Sequence, residues 1–428
     1  MRLHNLKLPA QTVSFLQAVR LGLGERQGLF FPETWPKLDC DALLDMALVP
    51  RSIAILQALI GDEVAASDIE NRVAEAFTFP APLMAVGGNS ACLELFHGPT
   101  LAFKDFGARL MAGALGLAQA SENVARPTIV TDTSGDTGAA VAQAFYRRKG
   151  VQVLILYPEG KISLLQEKLF TTLGGNIRTL AVDGDFDACQ ALVKQVFDDR
   201  PLVERLNINS ANSINISRIL AQVCYYFEAF AQLTPAQRQN AVFAVPSGNF
   251  GNLTAGLIAQ VLGLPIRRFI AATNANDTVP RYWQDGIWQP QATVATLSNA
   301  MDVANPNNWP RIQYLLDTGT VTRTALQAVS VSEAETRQAM RDLAASGYVS
   351  EPHAALAWKA LQDSLQPGEF GVFLGTAHPA KFKDSVESIL GRAIAVPQSL
   401  RDAAAKTPLN GRIAADYDAL KAELAAFA

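Results

Sequence analysis

The sequence predicts an α/β protein of two or three domains with mostly parallel sheets flanked by helices, preceded by a mostly helical N-terminal region. Three observations support this prediction. The chain has 428 residues, which is more than one small core accommodates. Hydrophobic residues make up 49% and charged residues 18%, so large cores can form. Beyond residue 90, short apolar runs alternate with helical patterns, as in parallel sheets covered by helices.

The first ninety residues have mostly helical patterns, interrupted by two Pro-rich breaks. The first break is Phe31–Pro36. The second, Phe79–Pro82, precedes a Gly- and Pro-containing turn and is a candidate domain boundary.

The following elements are predicted in chain order. The strands are Thr128–Thr131, Val151–Tyr157, Asn176–Val182, Ala241–Val245, Arg268–Ala272 and Gly371–Leu374. The helices are Ala139–Lys149, Phe186–Phe197, Ile214–Leu233, Asn252–Leu262 and Ala414–Phe427. Val151–Tyr157 is almost continuously apolar, which is expected of a strand that is buried on both faces.

Charge and cysteine usage exclude several classes of function. The net charge is −4 and there is no basic block, which argues against nucleic acid as a partner. The cysteines are far apart, with no C-x-x-C pair, and the four histidines lack metal-ligand spacing; no zinc site, other metal site or disulfide framework is predicted.

The chain also lacks the patterns of a membrane or exported protein. Its first residues contain no apolar signal core, and no apolar run reaches the roughly 18 residues that a membrane span needs. We therefore expect a cytoplasmic protein with no membrane partner.

Lys104 is the first candidate functional residue. It is a lone basic residue in the neutral, turn-forming segment His97–Gly107. A lysine there either extends into solvent or is partly desolvated. Desolvation lowers the pKa of the amine and makes it a nucleophile toward carbonyls. The second alternative predicts an enzyme that forms a Schiff base.

Three further turns connect predicted strands to small or Gly-rich residues, where open α/β sheets bind ligands. They are Thr133–Gly138 (TSGDTG), Pro246–Asn252 (PSGNFGN) and Leu374–Pro379 (LGTAHP). The first suits a carboxylate or phosphate, although an ordinary helix N-cap explains it equally well. The second resembles a phosphate cradle without a P-loop lysine, with a plain Gly- and Asn-rich turn as the alternative. The third, taken alone, is a strand exit with a Pro stop.

A cluster of amides and hydroxyls at Asn209–Arg218 ends in a single arginine. Arg218 is suited to bind a dianionic group with two hydrogen bonds, and an exposed arginine at a helix start is the equal alternative. A Gly-x-Ser-x-Gly elbow is absent from the sequence, so a serine hydrolase is not predicted.

Together these motifs resemble the threonine synthase family, in particular its longer bacterial and fungal-type branch. The resemblance rests on LFHGPT-x-x-FKD at Leu95–Asp105, on TSGDTG and on PSGNFGN. The segments GLFFP, NSANSINISR, NDTVPR, LSNAMDV, SEPHAA and LGTAHPAKF also match in family order, so nearly the whole chain is covered. Each single motif is shared with other pyridoxal-phosphate (PLP) enzymes of the tryptophan-synthase β type, whereas the set is specific.

The resemblance implies the type II PLP fold, with the cofactor between two domains. It implies an N-terminal mostly helical region (1–90) and a larger PLP-binding domain (91–104 and 222–395). A smaller domain (105–221) and a C-terminal helical tail (396–428) complete the expected chain.

The resemblance also implies roles for individual residues. Lys104 would hold PLP as a Schiff base, and Thr376 would face the pyridine nitrogen. The cofactor phosphate would be bound by Ser247, Gly248, Asn249, Phe250, Gly251 and Asn252. The substrate carboxylate and its neighbouring groups would be bound by Thr133, Ser134, Asp136 and Thr137. The substrate phosphate would be bound by Asn212, Ser213, Arg218 and Asn249.

The implied reaction converts O-phospho-L-homoserine and water to L-threonine and phosphate. Another type II PLP lyase, either a phospho-lyase or a serine/threonine dehydratase, is the first alternative. A non-catalytic phospho-ligand-binding protein is the second. The sequence leaves open whether the protein is a monomer or a homodimer.

Overall fold

The computed structural model describes residues 1–122 and 127–426. The strands are β1 (Arg2–Asn5), β2 (Leu8–Ser14), β3 (Phe30–Pro32), β4 (Leu83–Ala85), β5 (Ser90–Glu94), β6 (Thr128–Asp132), β7 (Gln152–Pro158), β8 (Ile177–Asp183), β9 (Ile208–Asn209), β10 (Ala241–Pro246), β11 (Arg268–Thr273), β12 (Leu326–Ser330), β13 (Phe370–Gly375) and β14 (Gly411–Ala414).

Helices connect and cover these strands. They are α1 (Phe15–Leu21), α2 (Cys40–Leu44), α3 (Leu48–Ile60), α4 (Ala66–Ala76), α5 (Lys104–Glu122), α6 (Asp136–Phe145), α7 (Leu164–Thr171), α8 (Phe186–Asp198), α9 (Arg200–Leu206), α10 (Ile216–Gln232), α11 (Pro235–Arg238), α12 (Gly251–Val261), α13 (Thr278–Asp285), α14 (Trp309–Asp317), α15 (Glu333–Ala345), α16 (Pro352–Ser364), α17 (Lys383–Leu390), α18 (Gln398–Ala404) and α19 (Tyr417–Ala425). Among the described residues, no helix is long and apolar enough to cross a membrane.

Two sheets form the body of the molecule and confirm the predicted α/β class. The larger has six strands in the order β12-β11-β10-β13-β5-β4, with only β4 antiparallel to its neighbour. The smaller has five parallel strands in the order β14-β8-β7-β6-β9. Helix α10, whose residues are almost all buried, packs on α5 and α12.

The N-terminal region contains a sheet that the helical patterns did not predict. Strands β1, β2 and β3 form a three-stranded antiparallel sheet before the helices α2 to α4. β1 and β3 are too short to show a periodicity of their own, and they are stabilised by pairing with each other. The expectation of a mostly helical extension was therefore incomplete.

The C-terminal tail also differs from its prediction. Helix α19 lies within the helix predicted over Ala414–Phe427, of which Phe427 lies outside the described residues. β14 precedes it, includes Ala414 and extends the smaller sheet by pairing with β8. Four residues carry too little pattern to predict a strand, and β14 is decided by the free edge of β8. A wholly helical tail was wrong, while the domain boundaries drawn from the family resemblance stay a prediction.

Candidate active site

The candidate site lies where three neighbouring parallel strands of the larger sheet end. In the order β10-β13-β5, these strands are followed by the Ser247 turn (Pro246–Asn252), by Thr376, and by the lysine turn (His97–Lys104). The carboxyl ends of parallel strands share one edge of a sheet, so the topology brings these three segments together. Strand β5, which positions the lysine turn, was not predicted from the sequence.

Backbone hydrogen bonds fix the lysine turn against the segment after β13. The N–H of Phe103 donates to the carbonyl of Thr376 at 2.9 Å, and the N–H of His378 donates to that of Leu101 at 3.0 Å. Helix α5 begins at Lys104 itself. The position of the amine is therefore set by two strands and a helix start.

Lys104 lines the cleft as a half-buried side chain. Burial lowers the pKa of its amine to about 8, and Arg218 and Lys381 act in the same direction while Asp136 opposes them. A pKa this close to physiological pH makes the neutral amine, which a nucleophile or proton acceptor requires, accessible at little cost in free energy. The desolvated alternative for Lys104 is the one that the structure supports.

The Ser247 turn presents backbone rather than charged side chains. Phe250 adopts a left-handed conformation (φ 60°) immediately before α12 begins at Gly251. N–H groups in the first turn of a helix have no partner inside the helix and can bind an anion. A Cβ atom on Gly248 would lie 2.7 Å from the Cα of Met301, so this position accepts no side chain without moving backbone.

Five of the six residues predicted to bind the cofactor phosphate line the cleft, and Ser247 does not. Its N–H donates to the carbonyl of Ala272 at 2.8 Å, and its hydroxyl donates to that of Val245 at 2.8 Å. The remaining residues, Gly248, Asn249, Phe250, Gly251 and Asn252, line the cleft together with Thr376. Asn252 is oriented by the hydroxyls of Tyr225 and Tyr226, and its buried Nδ2 has no partner among the described residues.

The Thr133 turn (Thr133–Gly138) follows β6 of the smaller sheet and faces the same cleft. Thr133 caps its own turn, because its hydroxyl accepts from the N–H groups of Gly135 at 2.9 Å and Gly138 at 2.7 Å. Asp136 pairs with Lys381 at 2.6 Å and accepts from Gln166 at 3.0 Å. Thr133, Ser134, Asp136 and Thr137 all line the cleft.

Strand β9 is the neighbour of β6 and leads directly to Asn212 and Ser213, which also line the cleft. The Asn212 amide donates to Asp132 at 3.0 Å and accepts from the hydroxyl of Thr131 at 2.6 Å. Ser213 accepts from Asn308 at 3.0 Å. These contacts hold both residues in place at the cleft wall.

Arg218 lies in the first turn of α10 and is almost completely buried. One of its terminal nitrogens donates to the carbonyl of Ala211, and its Nε has no partner among the described residues. Burial lowers the pKa of the guanidinium to about 10, so the group stays cationic at physiological pH. An incompletely paired cation in a cleft wall is suited to bind an anion.

The sequence did not single out several residues of the cleft. Residues 299–303, which include Asp302, form part of the wall, as do Asp132, Gln190, Gln222 and His353. The segments LSNAMDV and SEPHAA matched the family pattern but had no assigned role. Burial raises the pKa of Asp302 to about 6, although Thr296 and Asn274 donate hydrogen bonds to it. The clustering of carboxylates and cations is visible only in three dimensions.

Comparison with known proteins shows the family of the chain. A family model for pyridoxal-phosphate dependent enzymes matches residues 84–373, and a model for the threonine synthase C-terminal region matches residues 354–423. A threonine synthase from Serratia marcescens is 61% identical over 403 residues, which cover 94% of this chain and 93% of that protein. The chain belongs to the threonine synthase family. It is thus a PLP-dependent lyase of threonine biosynthesis, whose reaction converts O-phospho-L-homoserine and water to L-threonine and phosphate.

Solved threonine synthases share the fold over the whole chain. The crystal structure of threonine synthase from Escherichia coli superposes with a TM-score of 0.96 at 57% identity and covers 100% of both chains. A PLP-bound threonine synthase from Brucella melitensis superposes with a TM-score of 0.91 at 33% identity, over 99% of this chain and 98% of that one. The type II PLP fold predicted from the resemblance is thereby confirmed.

Proposed function

We propose that the cleft is the active site of the protein, with Lys104 as the residue that holds PLP and moves protons. The observation that carries the proposal is the environment of Lys104. Its amine has a pKa lowered to about 8, and it lies among two Gly-rich turns and a buried arginine. A residue that must be neutral to react, and must then return a proton, requires an environment of this kind.

The residues present fit PLP. The N–H groups at the start of α12 and the unpartnered Nδ2 of Asn252 suit its phosphate, and Thr376 suits its ring nitrogen. When bound, PLP draws electrons away from the carbon atoms of the substrate. We assign Gly248, Asn249, Phe250, Gly251 and Asn252 to the phosphate. Ser247 is assigned a structural role, through its hydrogen bonds at the end of β10.

Lys104 supplies the proton transfers. Its neutral amine accepts a proton from Cα of the substrate and then one from Cβ, so that phosphate can leave from Cγ. It delivers a proton to Cγ and, once water has added at Cβ, returns one to Cα. Because the amine is partly desolvated, both its protonated and neutral forms are accessible near neutral pH. Replacement at Lys104 is thus expected to remove both covalent attachment and proton transfer.

The substrate has two anionic ends, which we assign to different walls. Arg218 stabilises the phosphate, because a cation is most useful where charge develops on a leaving group. Asn212, Ser213 and Asn249 add neutral contacts to the same group. Ser134 and Thr137 are half-buried, and with the first-turn N–H groups of α6 they are assigned to the carboxylate.

A cytoplasmic location and a monomeric or homodimeric state are further proposals. The cysteines, all within the described residues, are free, and Cys92, Cys189 and Cys224 are buried. Free thiols are typical of a reducing compartment. Sedimentation of the purified holoenzyme would distinguish the two oligomeric states.

One experiment tests the proposed function. Purified holoenzyme is incubated with O-phospho-L-homoserine, and threonine and phosphate are measured together. Equal amounts of the two products are expected. Phosphate with a keto acid in place of threonine would identify a phospho-lyase, and borohydride reduction followed by peptide mapping must find the cofactor on Lys104.

A further inference from the structure

Asp136 creates an electrostatic problem in the proposed site. It lies in the Thr133 turn, which we assign to the substrate carboxylate, and the substrate also carries a phosphate. An ionised carboxylate in such a place repels the ligand. The structure contains a second buried lysine that addresses this problem.

Lys381 is completely buried, and it follows β13 in the segment LGTAHPAKF. Its ammonium lies 2.6 Å from a carboxylate oxygen of Asp136 and donates to the carbonyl of Thr100 at 2.8 Å. Asp136 begins α6, the helix that follows β6 of the smaller sheet, whereas Thr100 lies in the lysine turn that follows β5 of the larger sheet. A single ammonium therefore connects the two walls of the cleft.

The contacts of these partners extend the connection. Thr100 donates its N–H and hydroxyl to the carboxylate of Asp105, at 2.9 and 2.7 Å, in the first turn of the helix that begins at Lys104. On the other side, Gln166 donates to Asp136 at 3.0 Å, and the hydroxyl of Ser163 donates to the carbonyl of Lys381 at 2.8 Å. The pair thus has a hydrogen-bonded network on both sides.

We propose that Lys381 is a positioning residue for the threonine synthase reaction. It neutralises Asp136, so that the carboxylate can anchor the Thr133 turn without repelling an anionic substrate, and it fixes that turn against the lysine turn. The inference rests on the proposed assignment of the Thr133 turn to the substrate carboxylate. Lys381 does not line the cleft and is not assigned contact with substrate.

Coupling between the two residues distinguishes this role from simple packing. If Lys381 acts through Asp136, its removal matters only while the carboxylate is present. The holoenzymes to compare are the parent, Lys381→Met, Asp136→Asn and the double variant, with KM and kcat for O-phospho-L-homoserine measured at pH 8. Methionine keeps most of the volume of the lysine stem and removes the charge.

Lys381→Met is expected to raise KM about tenfold or more, with a smaller change in kcat. In the Asp136→Asn background the same change should alter KM by less than about threefold, because contacting residues that act together are not additive. An equal effect in both backgrounds would overturn the proposal. So would a Lys381→Met variant with the KM of the parent.

A second readout does not depend on turnover. Binding of L-threonine to each holoenzyme is followed through the absorbance of the cofactor, and Lys381→Met should weaken it by a factor similar to the rise in KM. The double variant should bind as Asp136→Asn does. Unchanged threonine binding in Lys381→Met would count against neutralisation of Asp136.

Lys383→Met is the matched control, since Lys383 lies two residues away and pairs at the surface with Glu387 at 2.6 Å. It should leave KM and threonine binding unchanged. If Lys381→Met does not fold, as judged by melting, the double variant is compared with Asp136→Asn alone. A further tenfold loss there would refute the proposal, whereas a parent that makes no threonine would refute the proposed function instead.

Discussion

The cleft wall has two parts that treat charge differently. The Ser247 turn offers backbone N–H groups, the amides of Asn249 and Asn252, and two glycines, with no charged side chain. The other part contains Lys104, Arg218 and Asp136, and the latter two, together with Lys381 buried behind the wall, change the pKa of the Lys104 amine. A ligand that stays bound can be held by neutral donors. A ligand that enters, reacts and leaves as anions needs cations, whose charges must be balanced in turn.

Lys104→Ala should have the largest effect, on the charged part of the wall. Removing both the attachment point and the proton carrier is expected to lower kcat by about 10³-fold or more. Threonine formation and peptide mapping after borohydride reduction measure the two losses. Residual activity within tenfold of the parent would show that another group moves the protons.

Arg218→Met should have the next largest effect. It distinguishes binding of the substrate phosphate from binding of the cofactor phosphate. We expect kcat/KM for O-phospho-L-homoserine to fall about 10²- to 10³-fold, because the cation stabilises a leaving phosphate. The cofactor should remain bound, since the Ser247 turn does not depend on Arg218. Loss of the bound-cofactor absorbance in this variant would contradict the assignment of the substrate phosphate and the cofactor phosphate to different parts of the cleft wall.

Gly248→Ala tests the neutral part. The added methyl group would meet the backbone of Met301 at 2.7 Å, so we expect cofactor affinity to fall about tenfold or more. Gly251→Ala is the matched control, because its nearest contacts are side-chain atoms at 3.3 Å. Equal losses of cofactor affinity in the two variants would mean that the close approach of Gly248 to the Met301 backbone is not needed for cofactor binding.

Asp105→Asn tests the cost of burying charge beside Lys104. Burial raises the pKa of Asp105 from 3.8 to about 6, although Thr100 donates to it. Above pH 6 the carboxylate is ionised in both the folded and the unfolded chain. Only in the folded chain is this charge desolvated by burial, and the desolvation lowers the free energy of unfolding. Asp105→Asn should therefore raise the free energy of unfolding at pH 8 by about 1–3 kcal/mol.

This gain should shrink as the pH falls from 8 through 6 toward the ordinary carboxyl pKa of 3.8. In that range the folded parent binds a proton that the unfolded chain does not, so the parent recovers stability. Denaturant unfolding at pH 8 and pH 5.5 measures the difference. A gain that grows on acidification would show that the Asp105 carboxylate is stabilised as a charge.

Ser247→Ala should have the smallest effect. Its hydroxyl donates to the carbonyl of Val245, away from the cleft, so cofactor affinity should change by less than about threefold. Titration of the apoprotein with PLP measures this. A tenfold loss would restore Ser247 to the cofactor site that the family resemblance implied for it.

Prediction from sequence succeeded where a pattern is local. Val151–Tyr157 was predicted from its apolar run, and the strand forms as β7 at Gln152–Pro158. The helix predicted over Ile214–Leu233 forms as α10, within two residues at each end. β5, β9 and β14 were missed because short strands are defined by their neighbours in a sheet. β9, two residues long, nevertheless leads directly to Asn212 and Ser213.

The sequence by itself determined the α/β class, the family, and the turns that carry Lys104 and the Gly-rich motifs, because these are patterns within single segments. Only the tertiary structure decided which groups share a charge environment. Lys381 and Asp136 are far apart in the chain and 2.6 Å apart in space. Burial and Coulomb interaction depend on that spatial distance, so no local pattern predicts that Lys381 neutralises Asp136 or that Ser247 lies outside the cleft.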